Sequence, residues 1–541
     1  MKNTMKRSDL CVAGIMVWGV CVGAWLPVSA AEPAVTISEK TTRITEPLRK
    51  DGFPDYVAAL NDICAEGVTA DNNAAVLFMQ AFGPGPIHEA MRPRFFRMLG
   101  IEEPPSEGAY LVSFEGFCEQ HAAGEEQIGD GEAFEKRLDA YSQAMERPWS
   151  ADEFPEVAAW VAANAAPLAL IVEGTQRPRY YAPMISSSDD DSSDMVILVL
   201  LPVLQELREA ARLLKARAML RIQEGDINAA WQDLLACHRL GRLAAQDPTL
   251  IGALVGIAID SVAINGDTWI AADGRISTAV AERIVTDLQT LEPFPPMVES
   301  LDTAERFAFL DAVCAVASGR ASLSDLTGDG SVEPPGWVTR TAAAILVDWD
   351  SILRKGNRWY DRMVATAELG TFRERREAFA VIEADLDQLG ASVGDARNVW
   401  SVIISPRATV SEQLGNVFVS LLLPALSAAM EAEGRAMALG RMNEVTFALA
   451  AYRAAHGTYP ATLADLEQEQ KTPLPGDPFS GEAFRYRRED EGFVVYSVGP
   501  NLRDDDGKVY YLDRDENGEP GQKSEWDDFR IRVPLNTAGS E

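Results

Sequence analysis

Residues 441–468 read RMNEVTFALAAYRAAHGTYPATLADLEQ, and the organisation of the chain is clearest from this stretch outward. Leu439, Met442, Thr446, Leu449 and Tyr452 recur at helical spacing, with Ala448 and Ala451 as strong helix formers between them. Gly457 is a natural stop, and Pro460 follows three residues on. Thr462 then caps a short helix running through Leu466. Residues 484–488 and 493–498 read as strands, and the short turn at 490–492 makes them a hairpin. Residues 509–512 and 529–533 are further strand candidates.

Four runs occur in order: ALAAYRAAHGTYPATLADL (448–466), DPFSG (477–481), RYRRE (485–489) and VVYSVGPN (494–501). Together they resemble the C-terminal globular domain of the major pseudopilin of type II secretion systems. The resemblance covers about residues 436–533, less than a fifth of the chain. It implies a small α+β head, a long helix ending in a Tyr-Pro step, and a calcium-binding acidic loop. The family's N-terminal prepilin signature, a Phe with a Glu five residues in, is absent at Met1 and before this domain. The apolar run 417–426, with Pro424, resembles a degenerate pilin stem but lies far from the N-terminus. The expectation is a borrowed head domain, not a pilin subunit.

The resemblance places its metal loop on Asn501, Asp504, Asp505 and Asp506, and its closing acids on Asp527 and Asp528. Ca²⁺ takes six to eight oxygens from flexible loops, so these residue types suit it. A second pattern overlaps: Asp513, Asp515, Asn517 and Gly518 form the first half of an EF-hand loop. Its twelfth position is Ser524 rather than Glu, and no amphipathic helix follows Trp526, which argues against a true EF-hand. Two readings stand for the loop: a Ca²⁺ site, or a solvated acidic segment in an acidic chain.

At the start, Lys2, Lys6 and Arg7 precede an apolar run from Leu10 to Leu26, and Val28-Ser29-Ala30 fits a small-residue cleavage site. Residues 1–31 are therefore expected to be a signal peptide, with an uncleaved anchor as the alternative. Neither Cys11 nor Cys21 sits in a lipobox. The expected location is outside the cytoplasm, periplasmic or in the cell envelope. The net charge of −33 opposes nucleic-acid binding, which needs Lys and Arg against phosphate. It also opposes anionic membranes, so membrane association is expected only through the leader. Cations and basic proteins are the compatible partners, and a protein partner is expected.

Between the leader and the head, apolar residues recur at helical spacing over 55–66, 71–82, 133–145, 152–172, 195–223, 227–243, 248–271, 277–291 and 297–316. A further aromatic-rich helix covers 337–369, and another 371–389. Ala216, Leu220, Gly225 and Ala230 suggest a tetratricopeptide-type hairpin, without a repeating period. SSSDDDSSD at 186–194 reads as a polar linker or lid, and 318–336 as a loop. Cys64, Cys118, Cys237 and Cys314 admit two disulfides or four buried thiols; the absence of C-x-x-C leaves structural zinc unsupported.

Catalytic patterns are missing. His88, His121, His238 and His456 form no H-E-x-x-H or two-His helical pair, and His238 beside Cys237 reads as a packed residue. No nucleophile elbow, P-loop or dinucleotide fingerprint occurs. Carboxylates such as Glu305 and Asp311 leave a helical hydrolase as a distant alternative. The expected fold class is a mainly α-helical body, an irregular array of helical hairpins, with a small C-terminal α+β pseudopilin-like domain. The expected divisions are 1–31 leader, 45–185 and 194–400 helical subdomains, and 413–541 long helix plus head. The leading functional expectation is a non-enzymatic envelope scaffold or binding protein. The alternative is an accessory component of a secretion or pilus-like assembly, docking through residues 413–452.

Overall fold

Caps and prolines decide where the helices of this chain begin. The structure, a computed structural model, describes residues 35–121, 132–185, 195–198, 201–322, 347–392, 406–422, 426–510, 512–513 and 526–534. The leader, the 186–194 run, Trp337, Pro424, most of the 318–336 loop, and Asp515 to Ser524 of the EF-hand-like pattern lie outside the described residues.

The chain is mainly helical and ends in a small antiparallel sheet, as expected. The helices in order are α1 (Tyr56–Ala65), α2 (Ala74–Phe82), α3 (Arg92–Leu99), α4 (Phe114–His121), α5 (Glu132–Glu146), α6 (Pro155–Ala163) and α7 (Ala165–Gly174). Next come α8 (Pro202–Glu224), α9 (Ile227–Ala244), α10 (Leu250–Ala272), α11 (Thr278–Gln289), α12 (Met297–Ser300) and α13 (Arg306–Ser318). The last are α14 (Trp349–Ala367), α15 (Phe372–Ser392), α16 (Pro406–Leu422), α17 (Leu426–His456) and α18 (Leu463–Gln470).

Three expected helices differ in instructive ways. The one expected over 195–223 begins only at Pro202, because proline forces Leu201 out of the helical region, to φ −114° and ψ 57°. The one expected over 152–172 is bent by 59° between α6 and α7. There the buried Asn164 side chain accepts from the Val112 amide (2.8 Å) and donates to the Val112 carbonyl (3.1 Å), diverting the chain to satisfy a loop. The one expected over 297–316 contains a π-type turn at Leu301–Glu305 between α12 and α13. Immediately after it, the wholly buried Arg306 pairs with Asp302 and with Asp361 at 2.7 Å.

The described residues divide into two units: 35–56, 308–322, 347–360, 381–392 and 406–422 form one, and the other described residues the second. In the smaller unit, the Phe309 ring meets Tyr360 and Phe418 edge-on at 5.9 and 6.4 Å. Its polar frame includes a Tyr56 hydroxyl donating to Thr42 O (2.8 Å) and Asn357 Nδ2 donating to Thr41 O (2.9 Å). Buried Asp311 pairs there with Arg320 at 3.1 Å.

The larger unit is centred on α8, α9, α10 and α17. Asp226 caps α9 through the Ala229 amide, and Thr249 caps α10 through the Gly252 amide. α9 and α10 cross at Gly241 and Gly256, where an added Cβ would lie 2.7 Å and 2.4 Å from the facing glycine's carbonyl. Helix α10 is long and apolar enough to cross a membrane by length and composition; here it packs against α8, α9 and α17. Phe447 of α17 meets Trp231 of α9 edge-on at 5.8 Å, and both are fully buried.

The head follows α17. α18 carries a full capping box, Thr462 bonding the Asp465 amide and Asp465 returning to the Thr462 amide at 2.9 Å. Thr462→Ala is expected to cost about 1 kcal/mol, local to the head, as read by urea denaturation. The strands are β1 (Arg485–Arg488), β2 (Phe493–Ser497) and β3 (Phe529–Val533), in the order β1-β2-β3 and all antiparallel. β2 is central and wholly buried. The strand expected over 509–512 is instead one isolated bridge from Val509 to Asp527. Its backbone turns because Asp513 N donates to Val509 O (2.8 Å) and Asp513 Oδ2 accepts from Val509 N (2.7 Å).

Candidate metal centre

The β2–β3 connection leaves the central strand at Gly499 and closes on Asp527 and Asp528. Gly499 sits at φ 63°, and a Cβ there would lie 2.2 Å from the Asp527 carbonyl, so the loop and the closing acids are held in backbone contact. Asp527 Oδ2 accepts from the Asn501 amide at 2.9 Å. Asp528 Oδ2 accepts from the Asp505 and Gly507 amides at 3.1 and 2.8 Å. These bonds fold the loop over the two carboxylates.

The expected ligands separate into two sets. Asp505, Asp527 and Asp528 each offer an oxygen within 4.8 Å of the others. Asn501 supports them, its Nδ2 donating to Asp505 Oδ2 at 2.9 Å while its Oδ1 accepts from the Arg503 amide at 2.6 Å. Asp504 is engaged elsewhere: Oδ1 accepts from the Tyr496 hydroxyl (3.0 Å), and Oδ2 faces Arg485 (3.3 Å). Asp506 is exposed and pairs with Arg487 at 2.8 Å. Asp513 pairs with Arg530 at 2.8 Å.

The chemistry of the triad suits a hard cation. Asp527 is 7% exposed and Asp528 is 0% exposed, yet the Oδ1 of each is buried without a hydrogen-bond partner among the described residues. A buried carboxylate oxygen without a donor is costly. Burial pushes Asp527 up to about 6, with Asp505 adding to the rise. Burial pushes Asp528 up to about 7, and Asp505 and Asp504 add to it. A divalent cation held by the carboxylates of Asp505, Asp527 and Asp528 would reverse these penalties. The three carboxylates would supply part of the oxygen shell that Ca²⁺ takes, and loop carbonyls or water would have to complete it.

A second polar cluster was not anticipated. His238 of α9 is 1% exposed, and its two ring nitrogens meet Asp260 (2.6 Å) and Asp267 (2.8 Å) of α10. Asn443 of α17 donates to the same Asp267 oxygen at 2.7 Å. Arg242 completes the set, pairing with Asp260 and donating to the His238 carbonyl at 3.0 Å. Burial alone would lower the His238 pKa; the two carboxylates prevail and hold it at about 9. Burial would raise Asp260, but Arg242 and His238 bring it to about 2. With both nitrogens bound to carboxylates, this imidazole is a clamp between helices rather than a base facing a substrate. The sequence signal was two acids seven residues apart on one face of an otherwise apolar helix.

The other singled-out residues have structural partners. Glu305 accepts from the Leu250 amide at 3.2 Å at the start of α10. His456 meets Glu469 at 2.8 Å on the surface. Cys64, Cys118, Cys237 and Cys314 are free thiols, the last three buried. Comparison with protein-family models, with curated proteins and with solved structures finds no match to this chain.

Proposed function

We propose that this protein is an exported, non-enzymatic scaffold or binding protein of the bacterial envelope, with a pseudopilin-like head stabilised by Ca²⁺. The observation that carries the calcium reading is the pair of buried Oδ1 atoms on Asp527 and Asp528, unpartnered among the described residues, beside Asp505. Export rests on the positive start and apolar run of residues 1–31. The pseudopilin likeness rests on the ordered runs from 448 to 501, and the helix, capping box, hairpin and closing strand between 426 and 533 are compatible with it. The non-enzymatic reading rests on the structural engagement of His238, Glu305 and Asp311.

The alternative, docking to a secretion or pilus-like assembly through residues 413–452, has less support. Ala436, Ala438, Met442, Val445, Phe447 and Leu449 of α17 are buried, and Met437 is the large apolar side chain there that is well exposed among the described residues. Calorimetric titration of the leaderless chain with CaCl₂ tests the proposal. One Ca²⁺ site is expected, with Mg²⁺ much weaker because it demands a tighter octahedral shell. No heat with Ca²⁺ would overturn the calcium reading.

A further inference from the structure

A cavity of about 290 Å³ opens beside α17 in the larger unit, walled by α9, α10, the end of α11 and the 291–297 segment. Its floor is a single stripe of α17. Glu433, Met437, Gly440 and Glu444 follow one another at spacings of four, three and four, so they lie on one face of the helix. The two glutamates are eleven residues apart, which sets their backbones about 16 Å from each other along the axis. Between them the floor is hydrocarbon and empty backbone: a Cβ added to Gly440 would meet nothing within 4 Å. Ile257, Phe294 and Met297 add apolar wall.

The charges around this cavity are unequal. Asp260, Glu292, Glu433 and Glu444 face Arg242 and Arg441. Both guanidinium groups already have protein acceptors. Arg242 is tied to Asp260 and the His238 carbonyl and stacks on Phe294 at 4.8 Å; Arg441 donates to the Gly476 carbonyl at 2.9 Å. Among the described residues, each glutamate meets a protein donor through one oxygen and keeps the other. Glu433 Oε1 accepts from the Met297 amide at 3.1 Å, and Glu444 Oε2 from Gln289 at 3.3 Å. Burial raises the Glu444 pKa and outweighs the Gln289 hydrogen bond and the Arg441 charge, which lower it, so a further cation on this carboxylate is still favourable. The cavity thus offers an apolar channel with a carboxylate at each end and two negative charges in excess.

We infer that this cavity binds a linear aliphatic polyamine, its methylenes lying over Met437 and Gly440 and its terminal ammonium groups on Glu433 and Glu444. An anion would meet the excess carboxylates, and a purely apolar ligand would strand them. A monoamine would satisfy one end. This site is separate from the calcium loop and does not depend on it.

The experiment is calorimetric titration of the leaderless chain with spermidine, diaminooctane and octylamine in about 0.15 M salt, where diffuse surface attraction is largely screened. One saturable site is expected for spermidine and diaminooctane, with octylamine at least about tenfold weaker for loss of one charge-assisted contact. Glu433→Gln and Glu444→Gln are each expected to weaken diaminooctane about tenfold. Gly440→Leu is expected to abolish binding while melting at or above the parent temperature, because leucine is the better helix former and fills open space. Two results would overturn the proposal. One is diaminooctane binding to the Gly440→Leu chain as it does to the parent. The other is many weak sites indifferent to both glutamate variants, the behaviour of counterions around an acidic protein.

Discussion

His238→Ala is expected to destabilise the larger unit by about 3–5 kcal/mol, among the largest single-residue effects in the chain. The substitution removes the one cation that touches both Asp260 and Asp267, which are 1% and 0% exposed. Asp260 retains Arg242, but Asp267 would keep only the Asn443 amide as a side-chain hydrogen-bond partner among the described residues. The cost is therefore that of stranding a buried charge, added to the cavity left by the ring. Cys237→Ala, one residue away and equally buried, is the control: it removes a small uncharged group whose thiol approaches the Ile259 carbonyl at 3.6 Å. Its expected cost is about 1 kcal/mol. Urea denaturation followed by circular dichroism reads both, and equal losses would show that the clamp contributes only packing.

The clamp also has a pH signature. His238 is raised from 6.5 to about 9, so its contribution is complete below the unfolded value and disappears as pH rises through 9. Asp260 is lowered from 3.8 to about 2, so its contribution is complete above the unfolded value and disappears as pH falls through 2. The window in which both contribute fully runs from about pH 4 to about 6.5.

The second large effect concerns calcium and protons at the same oxygens. Asp527 and Asp528 are raised from 3.8 to about 6 and about 7. A raised carboxylate stabilises the fold in its protonated form. In EGTA that contribution is complete below about pH 4 and is lost as pH climbs through 6 and 7. On the proposed calcium reading the metal displaces those protons, so its affinity is expected to rise by about tenfold per pH unit for each proton displaced, and to level off above about pH 7. Titrations at pH 5.5, 6.5 and 7.5 check this. An affinity flat across that range would mean that Asp527 and Asp528 do not hold the metal.

Much of the head was legible because its signals are local. Helical spacing through Tyr452, the Thr462–Asp465 box and the 490–492 turn each act over a few residues, and the structure has the corresponding elements. The division of the acidic loop was not legible. Asp504, Asp505 and Asp506 are adjacent, yet they face Arg485, the triad and Arg487 respectively. Positive φ values at Leu502 (62°) and Asp506 (60°) shape that turn, and neither residue type announces them. The clamp was hidden by distance, since His238 finds Asp260 and Asp267 22 and 29 residues away in sequence, and Asn443 reaches Asp267 across 176. Its trace, Asp260 and Asp267 seven residues apart on a largely apolar helix, does not name the residues that face them. The α17 stripe shows the same limit: Glu433 and Glu444 share a face by arithmetic, but only packing reveals that the face borders a cavity.

The most direct measurement is thermal melting of the leaderless chain in EGTA and in millimolar Ca²⁺, beside an Asp527→Asn, Asp528→Asn variant. The parent is expected to gain several degrees with Ca²⁺, since a ligand held at about a hundred times its Kd adds about 2.7 kcal/mol to the state that binds it. The variant is expected to melt at the same temperature with or without Ca²⁺. In EGTA at pH 8 it should melt no lower than the parent, because neutral amides relieve the buried charges. A parent indifferent to Ca²⁺, or a variant that responds equally, would contradict the calcium-stabilised head.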